Sequence, residues 1–158
     1  MENHFTIRIA RRRDLTVSSE QAPDFCLTSL NDASKVCLSD YRGKVVLLSF
    51  WVTWCPSCQQ DLPQKEIFAR SLDADAFAFF TINVTGREAD PSEVPAFIRK
   101  NGYRFPVLKD EGRRTYDAYG ITSVPTSVLI DREGRIAGRY DEHTPFVRVI
   151  EAIGRLLG

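Results

Sequence analysis

The chain has 158 residues, of which 43% are hydrophobic and 11% aromatic, so it is long and apolar enough for one globular domain with a buried core. Its 21 basic residues balance its 21 acidic ones, which excludes a strong overall attraction to nucleic acid or to an anionic membrane. Four cysteines are too few for a small domain held together by disulfides. No stretch approaches the ~18 apolar residues of a membrane-spanning helix.

The first 20 residues show weak periodicity, and we predict an N-terminal arm or an added edge strand there, followed by the main domain over residues 21–158. The basic run at residues 7–13 has no interleaved aromatic residues, which favours a solvated arm over a nucleic-acid-binding patch. The region also lacks the apolar stretch of a signal peptide. Two compartments stay open: the cytoplasm, or an extracytoplasmic space such as the periplasm if a leader or anchor has been removed.

The first half of the domain is predicted to form a β-hairpin, a buried strand and a helix. Alternating apolar residues over 24–38 indicate the hairpin, with its turn centred on Asp32 and Ala33. The almost wholly apolar run Val45–Trp51 is typical of a central strand buried on both faces. Over residues 57–72 we predict a helix kinked at Pro63. Its predicted apolar stripe comprises Leu62, Ile67, Phe68, Ala69 and Leu72.

The second half alternates strands with helices and ends in a hairpin and a helix. The predicted elements are a strand over 76–84, a helix over 91–101, an extended piece over 105–108, a short helix over 113–119, two antiparallel strands over 126–130 and 135–140, and a last helix from Thr144. The apolar face of that last helix is predicted to comprise Phe146, Val149, Ile150, Ile153 and Leu157. This order indicates an α/β fold with a mixed sheet covered by helices on both faces.

Two cysteines, Cys55 and Cys58, lie three residues apart where the first helix begins. A thiolate, and not a thiol, attacks a disulfide, and a free cysteine with a pKa of ~8.5 is mostly protonated at neutral pH. Unpaired N–H groups and the dipole at a helix start favour the anion, so we predict Cys55 as the nucleophile. Cys58, one turn later, resolves the mixed disulfide, leaving a Cys55–Cys58 bond. We predict no cofactor beyond this redox-active pair.

A CxxC pair can also be half of a zinc site, which needs two further ligands. The remaining candidates are Cys26 and Cys37, eleven residues apart, and His4 and His143, near opposite ends of the chain. None of these has the spacing of a zinc knuckle. The sequence therefore predicts no metal site.

The run Phe50-Trp51-Val52-Thr53-Trp54-Cys55-Pro56-Ser57-Cys58, after an apolar strand, resembles the active-site segment of the thioredoxin superfamily. Pro63 matches the proline at which thioredoxins kink their active-site helix. Val124-Pro125-Thr126 resembles their cis-proline loop, and residues 131–136 resemble their closing hairpin. These matches are spread over most of the chain and are far more specific together than the CxxC alone.

The N-terminal part of the domain indicates which group within the superfamily the chain resembles. Ala22-Pro23-Asp24-Phe25 and residues 38–44 resemble the N-terminal hairpin of the TlpA/ResA-like group, near the AhpC/TSA branch. Residues 83–108 fit the helix-containing insertion of that group. The resemblance implies a thioredoxin-like mixed β-sheet flanked by helices on both faces, with an N-terminal β-hairpin and a central helix-containing insertion. It also implies a thiol:disulfide oxidoreductase that reduces protein disulfides, in a group that is usually bacterial and extracytoplasmic and often serves cytochrome c maturation.

The resemblance further implies roles for residues around the dithiol. The bond between Val124 and Pro125 is expected to be cis and packed against the CxxC, with the Val124 backbone pairing to an extended substrate segment. Trp54 and Pro56 are expected to contact substrate. The expected partners are a protein disulfide or dithiol substrate and an upstream electron donor or acceptor protein, and the chain itself is expected to be a monomer.

Ser49 departs from the thioredoxin pattern. Thioredoxins commonly carry a buried Asp at this place, six residues before the first cysteine, where it assists proton transfer to the second. Glu88 and Glu66 are the candidates for this role here, each against the alternative of a solvated surface charge. Pro56-Ser57 replaces the Gly-Pro of thioredoxin, and the direction of electron flow stays open.

The other two cysteines, Cys26 and Cys37, lie on one face of the predicted hairpin. A turn centred on Asp32 and Ala33 places Cys26 opposite Ser39, which makes Cys37 a diagonal neighbour at ~7–8 Å, beyond ordinary disulfide reach. Two buried free thiols are therefore the default prediction, and a shift in register that would bring the two cysteines together stays open.

Two other functions compete with disulfide reduction. A peroxiredoxin shares the fold but needs Pro-x-x-x-Thr/Ser-x-x-Cys around its peroxidatic cysteine, and Leu48 and Val52 occupy the first two of those positions before Cys55. A Sco-like copper chaperone, which is not an enzyme, uses CxxxC and a distal His. The cysteine spacing disfavours it.

Overall fold

The computed structural model describes residues 20–158. Within this range the chain forms seven strands: β1 Cys26–Ser29, β2 Lys35–Cys37, β3 Val45–Trp51, β4 Phe77–Asn83, β5 Val107–Lys109, β6 Thr126–Ile130 and β7 Ile136–Tyr140. The α-helices of the same range are α1 Pro56–Ala69, α2 Val94–Asn101, α3 Arg114–Ala118 and α4 Phe146–Leu157. The predicted arm or edge strand lies outside the described residues except for Glu20.

All seven strands join one mixed sheet in the order β2-β1-β5-β4-β3-β6-β7. The β3–β4 and β4–β5 pairs are parallel, and the other pairs are antiparallel. Every residue of β3 and β4 is buried, as expected for parallel strands in the middle of a sheet that is covered on both sides. The predicted bounds of β3 and β6 agree with the structure.

The contacts of β3 identify the helices on each face, because successive side chains of a strand point to opposite faces. Ser49 bonds to a side chain of α1, and the Trp51 ring lies 5.7 Å from the Phe97 ring of α2. Phe50, between them, points the other way and meets Tyr116 of α3, with ring centroids 6.4 Å apart. Helices therefore cover both faces, as predicted.

Two predicted helix faces differ from the structure. In α1, Ile67 is 68% exposed, whereas its neighbours Lys65 and Glu66 are buried. These charged side chains are buried because each has polar partners inside the protein, described below. In α4, Ile150 and Leu157 are exposed, and the packed face is formed instead by Val149, Ala152 and Ile153. Helix α1 also ends at Ala69, three residues before the predicted end.

The N-terminal hairpin of β1 and β2 has a different register from the predicted one. Ser29 N donates to Ser34 O, and the four-residue loop between them ends with Ala33 in the left-handed conformation at φ 64°. The turn is therefore centred between Asn31 and Asp32. This shifts the partner of every β1 residue by two positions relative to the prediction.

Asn31 fixes this turn to the neighbouring strand. Its Oδ1 accepts a hydrogen bond from Val107 N at 2.8 Å, and its Nδ2 donates to Phe105 O at 3.1 Å. The resulting register places Cys26 directly opposite Cys37, with Cα atoms 4.0 Å apart, and a disulfide bond joins them. The prediction of two buried free thiols is wrong, because the turn centre was inferred from local sequence without this long-range anchor.

Candidate active site

Cys55 occupies the N-cap position of helix α1, immediately before Pro56 at the first helical position. A proline is favourable there because its missing N–H would have no partner in the helix anyway. The Cys55 Sγ accepts a hydrogen bond from Cys58 N at 3.1 Å, so the sulfur itself caps one of the free amides of the helix start. This is the placement that the sequence predicts for the nucleophile.

Cys58 lies one turn further along α1 and is fully buried. Burial raises the pKa of its thiol, and the hydrogen bond to Cys55 and the negative charges of Cys55 and Asp61 raise it further. A hydrogen bond with the Val52 backbone acts in the opposite direction. Cys58 therefore stays protonated in the dithiol state, and the two cysteines are chemically unequal.

The loop before β6 closes over the dithiol. The peptide bond between Val124 and Pro125 is cis, as predicted. The Val124 carbonyl oxygen lies 3.6 Å from Cys55 Sγ and accepts a hydrogen bond from the thiol. The structure thus brings Cys55, Val124 and Pro125 together, although they are about 70 residues apart in sequence.

Trp54 forms the exposed side of the same region, with 51% of its surface accessible. Its Nε1 donates to Arg87 O at 2.8 Å, and the Arg87 guanidinium lies 5.7 Å from the ring centroid. Trp51, by contrast, is fully buried in the core. The exposed indole is therefore held in a fixed position beside Cys55.

The two glutamates predicted as proton-transfer candidates are both bound to other groups. Glu88 accepts hydrogen bonds from Thr53 N, Thr53 Oγ1 and Asn83 Nδ2 at 2.6–2.8 Å, which fixes the loop two residues before Cys55. Glu66 Oε1 accepts from the backbone N–H groups of residues 104 and 105 at 2.8 and 3.0 Å. Both carboxylates hold backbone in place, and neither is a free surface charge.

A buried polar cluster below the dithiol was not predicted from the sequence. Lys65 Nζ donates to Asp61 Oδ2 at 2.6 Å, to Ser49 Oγ at 2.8 Å and to Ser127 Oγ at 2.9 Å. Asp61 and Lys65 follow Cys58 by three and seven residues, which places all three on one face of α1. That spacing, together with the unexplained Ser49, is the signal from which the cluster could have been found.

A cleft of about 560 Å³ opens beside the dithiol and reaches this cluster. Its walls come from α1, the cis-proline loop, the end of β7 and the start of α4. The wall residues include Ser57, Gln60, Asp61, Lys65, Pro125, Ser127 and Tyr140. Asp61 and Lys65 of the cluster thus line the cleft, together with Ser57 and Pro125 beside the dithiol.

The described residues provide little support for a metal site. Among residues 20–158, no group of three or more His, Cys, Asp and Glu side chains is placed to hold a metal ion. Cys26 and Cys37 bind each other, so neither is available as a zinc ligand. The same residues contain no helix that is both long and apolar enough to cross a membrane.

Comparison with known proteins agrees with this geometry. Residues 19–139 match the model of the AhpC/TSA family. The thioredoxin-like protein YneN of Bacillus subtilis is 38% identical over 117 residues, which cover 74% of this chain and 67% of YneN. The thiol-disulfide oxidoreductase ResA of Bacillus thuringiensis is 32% identical over 120 residues, covering 74% of this chain and 65% of ResA. The chain thus spans about two thirds of the length of these curated relatives.

Among solved structures, the chain is similar to a candidate thiol:disulfide interchange protein DsbE from Chlorobium tepidum. The TM-score is 0.77 and the identity 30%, and the match covers 88% of this chain and 96% of the other.

Proposed function

Because the chain belongs to the AhpC/TSA family and carries a thioredoxin-like thiol:disulfide oxidoreductase domain of the TlpA/ResA type, we propose that it reduces disulfide bonds in other proteins. The observation that carries this proposal is the inequality of the two thiols. Cys55 caps the start of α1 next to the cis-proline loop, whereas Cys58 is fully buried and kept protonated. This arrangement gives one cysteine for attack and one for resolution.

In the first step, the Cys55 thiolate attacks one sulfur of a substrate disulfide. A bond forms between Cys55 Sγ and that sulfur, and the second substrate sulfur leaves with the electron pair and takes up a proton. The free amides of the helix start and the helix dipole favour the attacking anion. We assign the binding of an extended substrate segment to Trp54, Pro56, Val124 and Pro125. The hydrogen bond between Cys55 Sγ and Val124 O supports this assignment.

In the second step, Cys58 must lose its proton before it can attack the mixed disulfide. We assign the acceptor to Asp61, because it lies on the Cys58 face of α1 and lines the cleft. Glu88 and Glu66 remain predicted candidates for proton transfer. The oxygens of all three carboxylates accept hydrogen bonds, but Asp61 lines the cleft and the two glutamates do not. An Asp61→Asn change should therefore slow resolution and alter its pH profile, whereas Glu88→Gln should leave the pH profile unaltered.

The partners follow from the chemistry. Each turnover leaves a Cys55–Cys58 disulfide, so a second protein with a reactive dithiol must return two electrons. The Cys26–Cys37 bond supports an oxidising, extracytoplasmic compartment, because disulfides persist there and are rare in the cytosol. We propose disulfide reduction during cytochrome c maturation as a role of the chain. We also propose that the chain acts as a monomer.

Trapping experiments test the proposed function directly. In Cys58→Ala the mixed disulfide between Cys55 and substrate cannot be resolved, so we expect a covalent complex with a disulfide-bonded protein such as insulin. Cys55→Ala/Cys58→Ala is the matched control and should trap nothing. Peroxide turnover that survives Cys58→Ser would instead support the peroxiredoxin alternative, and stoichiometric copper binding would support the Sco-like one.

The reduction potential of the Cys55–Cys58 pair gives the direction of electron flow. A value near ~−270 mV indicates a reductant, and a value near ~−120 mV indicates an oxidant.

A further inference from the structure

Lys65 is an unusual residue to find in the interior of this protein. Its side chain is only 3% exposed, and its Nζ is held by three oxygen atoms and lies 5.4 Å from the centroid of the Phe146 ring. A buried ammonium is costly unless it is paired and hydrogen-bonded. The two steps proposed above do not use this charge, although Lys65 lies on the same face of α1 as the resolving cysteine.

The sheet provides a specific binding site for this ammonium. Ser49 of β3 and Ser127 of β6 are direct partners in the antiparallel register, so their hydroxyls lie side by side on one face of the sheet. Both accept a hydrogen bond from Lys65 Nζ. These two hydroxyls and Asp61 thus hold a buried cation on this face of the sheet.

We propose that Lys65 is a positioning residue whose ammonium stabilises the Cys58 thiolate while the mixed disulfide is being resolved. This inference rests on the proposed function and goes beyond it by assigning a role to the buried cation. Lys65 does not touch the reacting sulfurs. It acts through its charge, and the two serine hydroxyls and Asp61 fix the position of that charge.

The charges around Cys58 explain why such a cation is needed. Burial and the negative charges of Cys55 and Asp61 all raise the pKa of the Cys58 thiol, so they oppose formation of the attacking thiolate. Lys65 is the cation of the cluster, and its Nζ lies 2.6 Å from Asp61 Oδ2, next to one of the negative charges that oppose the thiolate. Burial lowers the pKa of the Lys65 ammonium, and the attraction of Asp61 and of the Cys58 thiolate opposes that lowering. The cleft wall adds the titratable groups Tyr140, Asp141, Glu142 and His143.

The resolving step forms one sulfur–sulfur bond and breaks another. Cys58 loses its proton to Asp61, from which it reaches solvent through the cleft. The thiolate then attacks Cys55 Sγ, the Cys55–Cys58 bond forms, and the bond to the substrate sulfur breaks. The substrate sulfur leaves with the electron pair and takes a proton from water. The two protein thiols are oxidised and the substrate disulfide is reduced, so no further oxidant is needed.

A stopped-flow reaction with equimolar 5,5′-dithiobis(2-nitrobenzoate) separates the two steps, using the chain with Cys55 and Cys58 reduced and the Cys26–Cys37 bond intact. The first equivalent of released nitrothiobenzoate reports attack by Cys55, and the second reports resolution by Cys58. In Lys65→Met we expect the second phase to be about tenfold slower at pH 7, with its pH midpoint raised by about one unit. The first phase should stay within about twofold. Lys100→Met, which removes an exposed lysine, is the matched control and should change neither phase.

A second pair of variants separates a direct effect of the charge from an effect through Asp61. Asp61→Asn is compared with Asp61→Asn/Lys65→Met, which removes both charges and is expected to fold because neutral replacement of a whole buried pair is usually tolerated. Adding Lys65→Met to Asp61→Asn should still raise the pH midpoint of the second phase. An unchanged midpoint in either background overturns the inference. If the wild type releases only one equivalent, like Cys58→Ala, the proposed function itself fails.

Discussion

The two cysteine pairs of this chain lie in opposite kinds of backbone. Cys26 and Cys37 face each other across two antiparallel strands and are joined by a disulfide at the exposed edge of the sheet. Cys55 and Cys58 lie one turn apart at a helix start and are free thiols, one of them fully buried. The first pair is held closed by its strands, and the second is placed for attack and resolution.

The local backbone decides whether a cysteine forms a structural disulfide or acts as a reactive thiol. In the hairpin, Phe25 O accepts a hydrogen bond from Leu38 N, so the adjacent Cys26–Cys37 pair is one that does not exchange backbone hydrogen bonds. Side chains lie closest together at such pairs. At the start of α1, free amides and the helix dipole instead favour a sulfur anion. Variants of the two pairs test that distinction.

Removing the nucleophile should have the largest effect. We expect Cys55→Ser to lower the rate of insulin reduction at least about 1000-fold, because no other thiol occupies a helix start in the described region. The matched variant Cys26→Ser/Cys37→Ser should keep the rate within about twofold of the wild type. Strong loss of activity in that double variant would contradict the division between a structural and a reactive pair.

Removing the hairpin disulfide should chiefly lower stability. Its cysteines are eleven residues apart, and closing a loop of that size corresponds to about 3 kcal/mol in the chain-entropy model. Urea unfolding of Cys26→Ser/Cys37→Ser, compared with the wild type, measures this loss. A free energy of unfolding equal to that of the wild type would show that the bond does not restrain the unfolded chain.

A substitution at Asn31 tests whether its hydrogen bonds to the neighbouring strand stabilise the hairpin in addition to the disulfide. We expect Asn31→Ala to lower the free energy of unfolding by about 2 kcal/mol, because it leaves the N–H of Val107 and the carbonyl of Phe105 without their partner. The rate of insulin reduction should not change. Asn101→Ala, at the exposed end of α2, is the control and should cost less than about 0.5 kcal/mol.

The raised pKa of Cys58 predicts a pH dependence of stability in the reduced protein. A thiol whose pKa is higher in the folded than in the unfolded state binds more protons when folded, so its contribution is complete below the unfolded value of about 8.5 and falls as the pH rises beyond it. The difference in unfolding free energy between reduced wild type and reduced Cys58→Ala should fall by about 1.4 kcal/mol per pH unit above that pH. A constant difference between pH 8 and 10 would contradict the raised pKa.

Features that depend on local pattern were predictable from the sequence. The unbroken apolar run of β3 identified a central strand, and Cys55 before Pro56 identified a helix start. The resemblance to thioredoxins supplied the cis bond before Pro125, which a lone proline would not have indicated. In each case the deciding interactions lie within a few residues or within a recognised motif.

Features that depend on distant partners were not predictable. The hairpin register is fixed by Asn31, whose partner Val107 is 76 residues away. The burial of Lys65 depends on Ser127, 62 residues away, and on Ser49 in another strand. A charged residue at a helix position predicts exposure unless such partners are known. This is why the sequence placed Ile67 on the apolar face of the helix and did not indicate the burial of Lys65.

The position of the hairpin disulfide has a consequence for association between molecules. β2 is the outermost strand at one end of the sheet and has only three residues, among them the exposed Lys35. An open strand edge can recruit the edge of another copy and start aggregation, and short, charged edge strands prevent this. By locking this strand to β1, the Cys26–Cys37 bond keeps β1 covered, so a longer edge is never offered to a neighbouring molecule.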